Sequence, residues 1–531
     1  MIKNFEADVV VVGAGHNALI SAAYLAGAGQ KVLVLEGQSR AGGDTMTAEL
    51  TLPGFHHDVC STAHTLIQSN PMLRNRELPL DRYGLEYIRP DPVCTVSFGP
   101  GESLTMYREV ERTEREIGRV SPHDALAYRR LLADWTDLKP LQSVERGAPP
   151  LDPESSARLW RSGPLGDEGL RLKLASALEV IQERFQHPSV QTFMAWLASM
   201  TLEPIDEPGT GLLAFSLAAG RQDQSWVIPR GGSGELPAAL IRFVRDHGGE
   251  VICDSRVREI VIENGRAVGA VTDDGTEYRA GRGVLSSAHI TQLPAAIGSA
   301  IDEDLSASIG RWRTGLTMFV GHYALNEAPR YATQGESEPA VAMGVLSSID
   351  NLRAILADFR RGRVRVDEPF LLCLSPSVAD ATRAPAGHHT LKVIAVLPYA
   401  LRDGSKHWDE IKDAVADRLL DVYLSRTSNL RREHVLGYFI ESPLDLERRN
   451  PNNFKGSCHG GAGAADQSGW YRPAPLWNGY RTPLPGFYLT GACTHPGGSV
   501  SGLPGRNAAR VIFEDFGLNW ERATGGLHEV A

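Results

Sequence analysis

The chain has 531 residues, 42% of them hydrophobic and 22% charged, with a formal net charge of −10. That length exceeds what one hydrophobic core supports, so more than one domain is expected, and an acidic balance without a basic run argues against nucleic acid as a partner. Six scattered cysteines with no Cys-x-x-Cys pair fit a reducing compartment and argue against a disulfide-reductase dithiol.

Val9 to Val12 form a β-branched run, as in a strand buried on both faces of a parallel sheet. Gly13, Gly15 and Ala18 follow as Gly-x-Gly-x-x-Ala, with His16 and Asn17 between. The first glycine permits a tight turn, the second lets backbone approach a pyrophosphate, and the third small residue lets helix pack on strand. A diphosphate there sits on a helix N-terminus, whose N–H groups and dipole favour negative charge. Gly29 reads as the end of that helix, and Lys31 to Leu35 as a second buried strand ending in Glu36. Glu36 stands 23 positions after Gly13, near the spacing of the acid that bonds a ribose diol, and it would repel a 2′-phosphate. The segment therefore predicts an adenine dinucleotide of FAD or NAD type. Gly42-Gly43-Asp44-Thr45 comes six residues past the acid. That second glycine pair resembles the extended FAD motif of the glutathione-reductase-like flavoproteins, which points to FAD.

Pro53 to His57 turns the chain away from this unit, residues 90–107 alternate as strands, and a charged helical stretch starts at Glu109. Helical periodicity dominates from about 121 to 220, where Leu174, Leu178, Ile181 and Phe185 predict one continuous buried face. Within it, Leu212 to Ala219 is apolar enough for a core helix, the commoner case, and also for a tunnel mouth or a lipid contact. Pro229 to Leu236 turns into a helix through 246. Glu250–Cys253, Val257–Glu263, Arg266–Thr272 and Gly283–Ser287 then read as strands, with turns at Asn264-Gly265 and Asp274-Gly275. Further on, Met318–Leu325 and Thr390–Leu397 read as strands and Trp408–Tyr423 as a helix. Gly460-Gly461-Ala462-Gly463 follows no buried strand, so a second dinucleotide site for NAD(P)H is not expected.

Phe487 to Thr490 is a last strand, leading into the glycine-rich loop Gly491 to Gly505 and a helix. A helix N-terminus aimed at a flavin's N1–C2=O edge would stabilise the charge that gathers there on reduction. The N-terminal motif, the Gly231-Gly232 region, the Gly456 to Arg472 stretch and the Gly491 to Arg510 tail, in that order, resemble the phytoene-desaturase-related flavoproteins. The nearest branch by this resemblance holds the desaturase-like carotenoid ketolases and pyridine nucleotide-disulfide oxidoreductase domain-containing protein 2. The likeness covers essentially the whole chain.

The resemblance implies non-covalent FAD and an α/β fold: a glutathione-reductase-type, Rossmann-like FAD-binding domain with an interleaved α+β substrate domain. The expected division is 1–90, 229–310 and 481–531 for FAD, with 91–228 (helical cap) and 311–480 (sheet-based) for substrate. By residue matching, Gly13, Gly15, His16, Asn17, Ala18, Glu36, Gly42, Gly43, Asp44, Thr45, Val257, Gly491, Ala492, Gly502, Leu503, Pro504, Arg506 and Asn507 are expected at FAD. Asp44 departs from the small residue or arginine of many relatives.

The implied reaction is dehydrogenation of a hydrophobic polyene or alicyclic molecule by hydride transfer to flavin N5. Flavin amine oxidase chemistry, a ketolase-like oxygenation and a non-catalytic binding or chaperone-like role are the alternatives. Where a base is needed, histidine serves near neutral pH: His495 is the first candidate, with His57 and His459 behind it, and His56 weaker. Tyr480, Arg472 and Arg481 are candidates to face substrate, although arginine at a domain junction commonly serves in an ion pair. No metal is expected. Electrons are expected to leave to oxygen, a quinone or another acceptor. The first strand begins by residue 8, leaving no room for a leader peptide ahead of it, and no apolar run is long enough to span a membrane. The expected location is cytoplasmic, with peripheral membrane contact and homo-oligomerisation left open.

Overall fold

A computed structural model describes residues 5–333 and 339–524. Two seven-stranded sheets organise them. In the first, Phe5–Val12 lies between Val32–Leu35 and Glu277–Ser286 and is parallel to both, and Glu250–Ile252 continues the parallel order beyond Val32–Leu35. Glu277–Ser286 serves two neighbours. Its first residues pair with the antiparallel meander Val257–Glu263 and Arg266–Thr272, and Val284 to Ser286 take Phe487–Leu489 in parallel. Widely separated pieces of sequence thus build one Rossmann-like α/β unit.

Its centre is hydrophobic on both faces because the strand is β-branched on both: Val9, Val10 and Val11 are fully buried. Helices His16–Gly27, Glu235–Asp246 and Leu503–Phe516 cover one face. Trp312, Trp477 and the meander close the other.

The second sheet runs Val435–Glu441, Met318–Leu325, His389–Val396, Leu371–Leu374, Ala342–Val345, Cys94–Gly99, Glu102–Met106. It is antiparallel except where Ala342–Val345 meets Cys94–Gly99. Helix Trp408–Leu424 packs on one face. The helical segment from Val110 to Gln224 packs on the other, with Trp160, Trp196 and Phe215 buried in a shared core.

Two expectations on helices change. The face from Leu174 to Phe185 is broken: one helix ends at Leu174, which is 54% exposed, and another starts at Ala177. Ser176 and Glu179 form a reciprocal capping box, and that local hydrogen-bonding outweighs the apolar period. The helix that follows the carboxy-end glycine loop starts at Leu503, with Pro504 in its first turn, where the missing N–H costs nothing. The apolar stretch Leu212 to Ala219 lies within the buried helix Leu213–Gln224 and the residue before it. Among the described residues no helix is long and apolar enough to cross a membrane.

Candidate active site

The opening turn is built for a phosphate. Gly13 has φ +88°, and a Cβ there would run into the Ser287 hydroxyl. Gly15 caps the helix His16–Gly27 with no side-chain hydrogen bond, so the positive helix end faces outward uncapped. The second glycine pair closes on the first: Gly42 forms a bridge with Gly15, and a Cβ on Gly43, at φ +58°, would lie 3.2 Å from the Gly15 Cα. Thr45 fixes this loop by donating to the Gly42 carbonyl at 2.6 Å. Glu36 accepts from Ala14 N–H at 2.7 Å and from Gln38 N–H at 2.9 Å. With Gly13, Gly15, Gly43 and Val257 it lines an open cleft.

Asp44, the departure from the expected pattern, is tied to a distant segment. Its Oδ1 accepts from Asn450 and Asn453 at 3.2 and 3.1 Å and pairs with Arg449. It locks the glycine loop to the segment that follows the second sheet's last strand.

The carboxy-end loop meets the same helix. Gly502, at φ +67°, caps Leu503–Phe516, again without a side-chain hydrogen bond. Ser21 donates to the Gly505 carbonyl at 2.7 Å, and a Cβ on Gly505 would collide with the Asn17 carbonyl. Two helix N-termini therefore stand side by side, close only because residue 505 has no side chain.

A second cavity, of about 1150 Å³, opens where these turns face the second sheet. It is open to solvent and lies between the glycine turns and the sheet, where a ring system and a substrate would meet. His16, Asn17, Asp44, Thr45, Ala492 and Ser499 form its nucleotide-side wall. His16 Nε2 and Asn17 Oδ1 are buried there without hydrogen-bond partners, which fits a site completed by a polar ring system. Burial lowers the His16 pKa to about 4, so its imidazole is neutral. Met318, Phe370, Leu372, Leu374 and Ile394 make an apolar wall.

Of the three candidate histidines, only His459 lines this cavity. It belongs to a cluster that sequence spacing could not reveal. The thiol of Cys458 is hydrogen-bonded to both Cys60 and His459, although Cys60 lies far away in the chain. The Cys60 hydrogen bond leads in holding the Cys458 thiol down, to about 5, with the imidazole adding to it. The partner thiol of Cys60 is pushed up. Burial pulls His459 down, but the neighbouring Cys458 outweighs it and the net shift is upward. A thiol–imidazole pair able to exchange a proton thus borders the apolar space.

His57 and His495 lie outside this cavity, each in contacts of its own. His57 is buried in the hairpin strand His56–Asp58, bonded to Thr51 at 2.8 Å and edge-on to His322. Burial takes its pKa to about 2. The His495 Nε2 bonds the Glu145 carbonyl at 3.0 Å, and burial takes it to about 4.

The other candidates are placed as follows. Tyr480 is fully buried in the nucleotide unit, outside the lining of the large cavity, and donates to the His495 carbonyl at 2.7 Å. Arg472 is buried as well, and its donors go to the carbonyls of Ala492, Ala462 and His459 at 2.7, 2.9 and 3.1 Å, stitching two loops together. Arg506 points away from the cofactor cavities and makes a bidentate pair with Glu77, at 2.7 and 2.6 Å, to which Tyr24 also donates. Asn507 donates to the Arg146 carbonyl and to Tyr480. Arg481 is a surface partner of Glu514 and Asp515. Its sequence position, beside the last strand, did not reveal these contacts.

A parallel nucleotide sheet, twin uncapped helix ends and an adjoining apolar chamber define a flavin-dependent oxidoreductase with FAD as its cofactor. The family model described as flavin containing amine oxidoreductase matches residues 19–302, more than half of the chain, and the chain belongs to that family. A limonene dehydrogenase polypeptide of Castellaniella defragrans is 27% identical across 97% of this chain and 96% of its own. Pyridine nucleotide-disulfide oxidoreductase domain-containing protein 2 of Mus musculus is 28% identical over 96% and 94%. Phytoene desaturase (lycopene-forming) of Pseudescherichia vulneris is 23% identical over 96% and 99%. Among solved structures, an oxidoreductase from Methanosarcina mazei superposes with a TM-score of 0.64 at 15% identity, over 96% of this chain and all of that one, a likeness of fold.

Proposed function

We propose that this protein dehydrogenates an apolar, alicyclic or polyene small molecule. The observation that carries the reading is the composition of the cavity beside the glycine turns, where Met318, Phe370, Leu372, Leu374 and Ile394 offer surface only to hydrocarbon. The relatives named for limonene and phytoene chemistry support the same class. Residues 1–90, 229–310 and 481–531 form the FAD part in this reading, and 91–228 with 311–480 the substrate part.

FAD, when bound, supplies a two-electron acceptor that takes hydride from a C–H bond held against it. The chain supplies the rest. Glu36 would hold the ribose diol, the helix ends at Gly15 and Gly502 would stabilise negative charge, and the apolar wall would exclude water. The Cys458–His459 pair, whose thiol gives up its proton most readily, receives a proton where the lost hydrogen pair includes one. All of these are non-covalent holds, so acid denaturation releases the flavin intact. Electrons pass on to oxygen, a quinone or another acceptor. An amine substrate is disfavoured because Arg221, a cation, lines the same cavity and would repel an ammonium group.

The test is anaerobic mixing of the holoenzyme with limonene-like cyclic hydrocarbons, linear polyenes and alkylamines. Bleaching of the visible flavin absorbance by a hydrocarbon is expected. Bleaching by amines alone would refute the reading.

A further inference from the structure

Among the described residues, the arginines buried to nine-tenths or more have counterparts, with one exception. Arg383 pairs with Asp58 at 2.8 Å, Arg506 with Glu77, and Arg472 with backbone carbonyls. Arg221 is 7% exposed, and its one hydrogen bond to protein is a long 3.3 Å contact to the Leu217 carbonyl in its own helix. Its Nε has no partner, and among the described residues no carboxylate lies within ion-pair distance of it. The guanidinium stacks on Trp226, 4.3 Å from the ring centroid. Trp226 is 1% exposed, and its indole N–H is also unpartnered. Both residues line the large cavity.

A guanidinium taken out of water loses more than one stacking contact returns, and a buried indole N–H without an acceptor adds to the deficit. Arg221 stands on helix Leu213–Gln224 and Trp226 two residues beyond its end, and both lie on the cavity wall. A guanidinium presents a planar fork of N–H groups, the complement of a carboxylate, and the indole N–H beside it is a further donor on the same wall.

We infer that the substrate is an apolar molecule with a carboxylate at one end, anchored by Arg221 and Trp226 so that its hydrocarbon part lies along the Phe370–Ile394 wall toward the cofactor. This deepens the dehydrogenase reading and rests on it for the use of the cavity. The anchor sets register: a fixed head group determines which carbon of the chain or ring reaches the nucleotide side.

The experiment titrates the FAD-loaded protein calorimetrically with three probes of matched skeleton, cyclohexanecarboxylate, cyclohexylmethanol and cyclohexylmethylamine, and with straight-chain carboxylates of increasing length. The carboxylate is expected to bind roughly 10- to 100-fold more tightly than the alcohol, with the amine weakest. Arg221→Gln is expected to abolish that preference, Arg221→Lys to keep part of it, and Trp226→Phe to reduce it, all with flavin content unchanged. Equal binding of carboxylate and alcohol by the wild-type protein, no binding of any carboxylate, or an unchanged preference in Arg221→Gln would each overturn the inference. The wild-type comparison decides it even where a variant fails to fold. The two readings fail separately. Tight carboxylate binding with no bleaching by any hydrophobe defeats the dehydrogenase alone, whereas bleaching by a neutral hydrocarbon at equal rates in wild type and Arg221→Gln defeats the anchor alone.

Discussion

Side chains of one type take different roles here according to what surrounds them. His459, half-buried, and His495, buried, are both loop histidines, but one shares its environment with a thiol and the apolar cavity while the other bonds a carbonyl. His459→Ala is therefore expected to lower turnover about 10²- to 10⁴-fold, the range for loss of an acid–base group, with flavin content retained. His495→Ala is expected to keep turnover and to cost about 1 kcal/mol of stability, the worth of one hydrogen bond. Stopped-flow reduction rates and thermal melts on the two variants separate the roles, and the opposite pattern would return His495 to the chemistry. Arg506 makes the same point for charge. Its sequence position suggests the cofactor, but its guanidinium neutralises Glu77, and the two are 8% and 5% exposed. Arg506→Met leaves that carboxylate buried and unpaired, at a cost of about 3–5 kcal/mol, read as a large drop in melting temperature. A flavin midpoint potential that moved while stability did not would contradict this.

At the level of elements, the strands and the two helices around the cofactor were legible because each carries its own local signal. Val9–Val12 is β-branched, Met318–Leu325 falls where its pattern places it, and Gly13-x-Gly15 marks a turn that few other residues can make. The break at Ser176 was hidden because an apolar period reads the same whether one helix or two supply it, and only the cap decides. The contact of the opening and closing helices is likewise a matter of one missing side chain. Gly505→Val is expected to push them apart at Asn17, so that the protein purifies with little flavin and melts lower, whereas Gly310→Ala, with open space around it and an ordinary backbone conformation, should keep its flavin. Full flavin content in Gly505→Val would show that the close contact is dispensable.

Across the whole molecule, burial of neutral histidines sets the response to acid. His16, His289 and His495 are held at about 4, His64 at about 3 and His57 at about 2, in each case chiefly by desolvation. As pH falls through ~6.5 the unfolded chain takes up protons that the native state refuses, so stability declines, by up to ~1.4 kcal/mol per pH unit for each such group, until the native pKa is reached. His459, raised, acts in the opposite sense and is outnumbered. Melting temperature is expected to fall steadily from pH 7 to pH 5, and a flat profile over that window would show these imidazoles to be hydrated. The cavity itself is a product of the same scale. Its walls come from residues near 16, 44, 60, 200, 221, 370, 394, 458 and 499, which no single stretch of chain contains.

The amino-acid sequence by itself determined the nucleotide unit, its cofactor and the class of chemistry, because a phosphate-binding turn is a local object whose glycines and flanking strand are contiguous. Tertiary structure alone decided which histidine faces the cavity, that Cys60 meets Cys458, and that Arg221 was left without a counter-charge. Those facts depend on burial and on contacts between distant segments, and neither quantity is written in the spacing of residues along a chain.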